Sequence, residues 1–277
     1  MILWCDGAHD PAENMRRDAA LLAAAGAGAE PVLRLFRFAP HGITLGASQR
    51  PEDELDLARC AADGVPWAVR PTGGRAIFHA EEWTYALAAP LGDPEWGGPR
   101  SQAYAAASRL VLESLRRLGV PAALEPGRGP ALRPRRAGGA APPCFASTAR
   151  HEIVLDGRKL VGSAQRRTAQ ALLQQGSVLL GPGHLRLADY LAGDGAARAA
   201  ARAALAAASA DAGRWIPPHA ALDEWAAALL AARPTLRRVD GDAGLFLLTP
   251  PESGSYTAPR LRRATQVERG QRVRRAP

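Results

Sequence analysis

The stretch HEIVLDGRKLVGSAQ, residues 151–165, constrains the fold more than any other. Asp156-Gly157 stands between two apolar-rich runs, and an Asp-Gly pair in that setting is the strongest short signal for a two-residue type I′ turn. Such a turn joins antiparallel strands and sets their register. The runs PVLRLFRF, GITLGAS and ALLQQGSVLLG predict further strands. VPWAVRPTGGRAIFHAEEWTYALAAPL reads as strand, glycine-rich turn, strand, turn, strand. Helices fall between these runs. DPAENMRRDAALLAAAGAG opens with Asp10 as N-cap and Pro11 at the first helical position, and ends near Gly26. PEDELDLARCAADG predicts one short helix stopped at Gly64. SQAYAAASRLVLESLRRLG predicts an amphipathic helix with Leu110, Val111, Leu115 and Leu118 on one face. Alanine-rich helices are expected at about 196–210 and 219–233, and GLFLLTP is expected to be a last strand. Strands in hairpins with helices inserted between them predict an α+β domain, not a regular βαβ array.

The chain has 277 residues, 47% of them hydrophobic, enough to bury a substantial core. No apolar run of about 18 residues predicts a membrane span. The opening MILWCDGAHD lacks the basic region of a secretory signal, so a cytoplasmic protein is expected. Cys5, Cys60 and Cys144 are odd in number, widely spaced and without a CxxC pair, which argues against a disulfide framework or a zinc site. With six scattered histidines and no HExxH, no metal is expected. The net charge of +8 is uneven: residues 256–277 carry seven Arg and one Glu. Residues 1–255 are therefore read as one domain, followed by a basic tail expected to be disordered. The tail is either a solvated end or a steering arm for an acidic partner. It offers only Tyr256 for base stacking, so no nucleic-acid partner is expected.

Lys159 is the only lysine against 34 arginines. The two residues interchange on solvated surfaces but not where a compact ammonium must occupy one point. Lys159 lies just past the Asp-Gly turn, and Gly162, Ser163 and Ala164 follow it, small residues that let a ligand approach. Cys144, in PPCFAS, follows the Pro/Gly/Arg-rich stretch EPGRGPALRPRRAGGAAPP, which is expected to be a mobile loop. A cysteine in a loop near an ammonium has a lowered pKa and a nucleophilic thiolate; the alternative fate of a free cysteine is a small buried hydrophobe, the reading given to Cys5 and Cys60. In RPTGGRAIFH, Gly73-Gly74 leaves backbone amides unshielded, and Arg70 and Arg75 flank the turn as candidates for an anionic ligand. His79 is a candidate base, or a histidine satisfied within the core.

The segments NMRRDAALL, LRLFRFAPHGITLGASQ, VRPTGGRAIFHAEEWTYAL, CFASTARHEIVLDGRKLVGSAQRR and LLQQGSVLL, in this order, resemble the lipoate-protein ligase A/B superfamily over about residues 10–192. Within it they look most like the cysteine-type octanoyltransferases. The resemblance implies a biotin/lipoyl ligase-like catalytic domain, with mixed, mostly antiparallel sheets flanked by helices. It implies a cofactor-free transfer of an octanoyl group from acyl carrier protein to a lysine on a lipoyl domain, such as the glycine-cleavage H protein. In that pattern Cys144 is the nucleophile and Lys159 holds the acyl carbonyl. Thr72, Gly73, Gly74, Arg75 and His79 line the acyl tunnel, with Arg70 beside them.

The sequence departs from the pattern in places. Val69 precedes Arg70 where the family often has a second Arg, and Gln175 stands where His is common. An ATP-dependent lipoate-protein ligase is the main alternative. Such ligases usually carry a third Gly where Arg75 stands and Asp where Ala80 stands, and do not need a Cys at 144. An amidotransferase moving octanoyl between lipoyl proteins is a narrower alternative, whose relatives carry their Cys elsewhere.

Overall fold

The computed structural model describes residues 1–125 and 152–249. Cys144, the preceding Pro/Gly/Arg stretch and the basic tail lie outside these described residues.

The strands are β1 (Ile2–His9), β2 (Val32–Phe38), β3 (Gly42–Leu45), β4 (Trp67–Val69), β5 (Ile77–His79), β6 (Glu82–Pro90), β7 (Ala123–Leu124), β8 (Ile153–Leu155), β9 (Arg158–Arg167), β10 (Ala171–Leu179) and β11 (Arg237–Asp240). The helices are α1 (Pro11–Gly26), α2 (Pro51–Glu54), α3 (Leu57–Ala62), α4 (Arg100–Arg117), α5 (Leu187–Tyr190), α6 (Gly195–Ala208) and α7 (Leu222–Ala232). Eight strands form one sheet in the order β11-β1-β2-β6-β10-β9-β8-β7, and β4-β3-β5 form a second. Pairing is parallel for β11-β1, β1-β2 and β3-β4 and antiparallel elsewhere. The α+β architecture expected from the hairpins, with the mixed, mostly antiparallel sheets that the resemblance implies, is therefore present.

One face of the large sheet packs on α4 and α7. Trp83 and Trp225 stack there, 5.3 Å apart, among Leu110, Val111, Leu115 and Leu229. The other face meets α1 and, further along, the three-stranded sheet. Asp10 caps α1 by accepting from the Glu13 amide at 2.9 Å, with Pro11 opening the helix. The Asp156-Gly157 turn has φ of 50° and 72°, the two positive values that a type I′ turn requires.

Two local expectations change. The helix expected over PEDELDLARCAADG is two short helices, because Leu55 is extended and bridges Leu191, and Asp56 then caps α3 by accepting from the Arg59 amide. GLFLLTP is not a strand: Gly241–Leu248 is a 3₁₀ turn wrapped over Trp4, whose Nε1 donates to the Gly241 carbonyl at 2.8 Å. Gly244 lies flat on that indole, where any Cβ would overlap the ring. The strand at this end is β11, just before the turn. The N-terminal residues, read above only for their charge, form β1 at the centre of the parallel part of the sheet, with a bulge between Cys5 and Gly7.

Candidate functional site

The site is built where the three-stranded sheet faces β6, β10 and β9. The glycine turn after β4 is held from both sides. Gly46 touches the Gly74 carbonyl so closely that no Cβ would fit, and the Ala47 amide donates to the Thr72 carbonyl at 2.9 Å. Gly74 has φ of 95°, which favours glycine. Arg70, expected above to be a candidate anion ligand, is 5% exposed and donates to the carbonyls of Gly73 and Arg75 and to Thr44. Its guanidinium braces the turn from beneath. Gly73 and Gly74 are exposed and Arg75 is half-buried, so the outward surface of the turn is these three residues.

Thr72 ties the turn to the large sheet. Its hydroxyl donates to Gln175 Oε1 at 2.6 Å, and Gln175 Nε2 donates to Asp18 at 2.5 Å. Gln175 thus holds Thr72 to α1. Beyond Asp18 lies a buried ionic cluster in which Arg34 pairs with Asp6 and Asp18, both at 2.6 Å, and Arg17 pairs with Asp6. Burying charge without partners is prohibitive, so the four side chains stand or fall together.

His79 ends β5 and is 4% exposed. Its ring stacks on Phe38 with centroids 3.8 Å apart. Nε2 lies 2.7 Å from Thr44 Oγ1, and Nδ1 lies 2.6 Å from Glu82 Oε1. Glu82 Oε1 also accepts from the hydroxyls of Thr84 at 2.7 Å and Ser177 at 3.1 Å. Glu82 Oε2 is buried and has no partner among the described residues. His79 is thus satisfied in the core, and it borders the cleft.

A cleft runs between the sheets, lined by Thr44, His79, Thr84, Gly162, Ala164 and Ser177 among others. Gly162, Ser163 and Ala164 thus come together with Arg70 and His79. Ser163 Oγ lies 2.9 Å from the Tyr85 hydroxyl, and its carbonyl accepts from Tyr104.

Lys159 is 3% exposed, three residues before Gly162 on β9. Its Nζ lies 2.5 Å from Glu152 Oε1, and Glu152 is 5% exposed. The Ala210 amide donates to the Lys159 carbonyl at 3.0 Å, and the Glu125 amide to the Glu152 carbonyl at 2.8 Å, so both backbones are pinned. Cys144 lies outside the described residues. The other two cysteines are poor nucleophiles: burial pushes the thiols of Cys5 and Cys60 up to about 11, so both are protonated at neutral pH. Among the described residues no group of three His, Cys, Asp or Glu side chains is placed to hold a metal ion, and no helix is long and apolar enough to cross a membrane.

The lipoyl protein ligase A/B catalytic domain, as a family model, matches residues 10–232. The chain belongs to this family. Among its relatives, octanoyltransferase LipM of Exiguobacterium sp. is 36% identical over 176 residues, 61% of this chain and 62% of that protein. The protein of the same name from Symbiobacterium thermophilum is 38% identical over 179 residues, 63% of this chain and 64% of that one. These matches span less than two thirds of the length of the relatives. Among solved structures, a bipartite lipoate protein ligase of Thermoplasma acidophilum gives a TM-score of 0.65 at 19% identity, covering 89% of both chains. A lipoate-protein ligase A bound with ATP gives 0.61 at 19% identity, covering 89% of this chain and 92% of that one. At such identities the likeness establishes the fold. Thr44, Glu82 and Glu152 were not singled out from the sequence of this family member. Glu152 had a usable signal: a lysine placed in a buried hairpin requires a carboxylate within reach.

Proposed function

We propose that this chain is an octanoyltransferase. It takes an octanoyl group from a carrier-protein thioester onto Cys144 and passes it to a lysine of a lipoyl domain. The observation that carries the reading is the 33–38% identity to proteins named octanoyltransferase LipM, within a family matched over residues 10–232. The chemistry needs no activation by ATP. A thiolate attacking a thioester exchanges one thioester for another at little cost in free energy, and amide formation then draws the reaction forward. Negative charge develops on the acyl oxygen in both tetrahedral intermediates. Lys159 and the exposed amides at Gly73 and Gly74 are the candidate donors for it, each able to contribute roughly 3 to 4 kcal/mol. Glu152 refines the part played by Lys159. A carboxylate 2.5 Å from the ammonium offsets much of its charge at a distance. Lys159 then acts as an oriented hydrogen-bond donor more than as a field that ionises Cys144.

The test uses full-length protein with octanoyl-acyl carrier protein. Intact mass is expected to show one octanoyl adduct, labile to hydroxylamine and absent in Cys144→Ala. An unmodified protein that instead forms octanoyl-adenylate from ATP and free octanoate would establish the ligase reading in its place.

A further inference from the structure

We propose that Thr44, His79 and Glu82 form a proton relay that serves only the second half of this reaction, the attack of the acceptor lysine on the acyl-enzyme. The inference rests on the octanoyl-transfer reading and adds to it a group that handles the proton.

The geometry is that of a hydroxyl, an imidazole and a carboxylate in line. Thr44 Oγ1 lies 2.7 Å from His79 Nε2, and His79 Nδ1 lies 2.6 Å from Glu82 Oε1. The hydrogen-bond pattern fixes the tautomer. Glu82 Oε1 accepts from two hydroxyls, Thr84 and Ser177, and an acceptor oxygen at Nδ1 requires Nδ1 to carry the proton. His79 Nε2 is then a lone-pair acceptor, and Thr44 donates its hydroxyl proton into it. This is the arrangement by which serine-type triads ready a hydroxyl to give its proton to an imidazole oriented by a carboxylate; here a proton arriving at the oxygen takes the place of a new bond to carbon. Stacking on Phe38 holds the imidazole plane, and Thr44, His79 and Ser177 all line the cleft. A purely structural tie between the two sheets would not need Glu82 Oε2, a buried carboxylate oxygen without a partner among the described residues.

The two halves of the reaction differ in their proton balance. In the first, a thiolate attacks a thioester and expels a thiolate, and no proton moves. In the second, the amine nitrogen forms a C–N bond to the acyl carbon and becomes a cationic centre. It must lose one proton before the C–S bond breaks. That proton passes to Thr44 Oγ1 while the threonine proton passes to His79 Nε2, giving an imidazolium held by Glu82. The C–S bond then breaks to return the Cys144 thiolate, and the imidazolium proton leaves to solvent, balancing the proton taken up by the carrier-protein thiolate released in the first half. Thr44 is the catalytic residue of the relay, and His79 and Glu82 are positioning residues.

The experiment measures the two halves separately by rapid quench on the full chain: octanoyl adduct formation from octanoyl-acyl carrier protein, then octanoyl transfer from the adduct to a lipoyl domain. Thr44→Val keeps the shape and removes the hydroxyl. It is expected to form the adduct within about twofold of the wild-type rate and to slow transfer by about 100-fold, the usual size of a general acid–base contribution. Thr44→Ser, which restores the hydroxyl, is expected to recover most of the transfer rate, and Glu82→Gln to slow transfer selectively. Transfer by Thr44→Val within twofold of wild type, equal loss of both halves, or a Thr44→Ser variant as slow as Thr44→Val would each overturn the relay. Failure of the wild-type protein to form any octanoyl adduct would instead remove the transfer reading on which the relay rests.

Discussion

The two faces of the large sheet are both well buried, one mainly by apolar side chains and the other by apolar side chains with a polar network set among them. On the α4/α7 face, Trp83, Trp225, Leu172 and Val178 interlock as apolar surfaces. On the other face, the same strands present Arg34, Gln175, Ser177, Glu82 and Thr84, all 6% exposed or less. Apolar packing is non-directional and roughly proportional to the area buried. A buried polar network is directional, because each group removed strands the ones it satisfied. Apolar packing therefore stabilises the sheet on both faces, and the polar network of the second also fixes where individual atoms sit. The glycine turn, His79 and the cleft all lie on the second.

Replacing Arg34 by Met would test this most severely. It leaves Asp6 and Asp18 buried without their shared cation, and should cost about 3–5 kcal/mol in urea unfolding. Trp225→Ala, on the apolar face, should cost a similar 3–5 kcal/mol through a cavity. The two variants should differ in kind: a residual fold of Trp225→Ala should keep the Thr72 to Gln175 tie, whereas that of Arg34→Met should lose it. An Arg34→Met variant within about 1 kcal/mol of wild type would show that the polar face is not organised by its ions. Gly176→Ala probes the apolar side of β10, where a Cβ would lie 2.6 Å from Ser163 Oγ and overlap the Tyr85 ring. It should lower stability by about 1–3 kcal/mol, read as a drop in thermal midpoint.

The smallest effect belongs to the rim of the ionic cluster. Hydrogen bonds from Arg16, and then Arg17, hold the Glu13 carboxyl down at about 2 against a normal 4.5. A carboxyl depressed in the folded state contributes stability above its unfolded pKa and loses it as the folded pKa is approached. The advantage of wild type over Glu13→Gln should therefore be complete above pH 4.5 and shrink as the pH falls toward 2. An advantage unchanged at pH 2.5 would detach Glu13 from the cluster.

Much of this was legible in the chain. The Asp-Gly turn, the Asp10 cap, the amphipathic α4 and the glycine turn each rest on neighbours in sequence, and local chemistry decides them. The rest depended on distance. No local pattern says that Trp4 would draw Gly241–Leu248 into a tight turn, or that Leu55 would find Leu191 and split a helix. The same holds in the site. Lys159 stood out by its rarity, but Glu152 is an ordinary carboxylate until the bulge between β8 and β9 sets it against the ammonium. Arg70 read as a ligand for anions because its charge is visible in sequence, while the three carbonyl groups that occupy it are not.

The two residues of the Asp156-Gly157 turn also act as a counting device. Strand side chains alternate between faces, so the number of residues in the turn decides on which side of β9 Lys159 falls. Many replacements within the turn would be tolerated if they accept positive φ. An insertion of one residue would not be, since it would exchange the inward and outward sets of β9 relative to β8 and turn the lysine away from Glu152. For this hairpin, length is under tighter constraint than composition, and drift by single-residue insertion is closed to it even where substitution remains open.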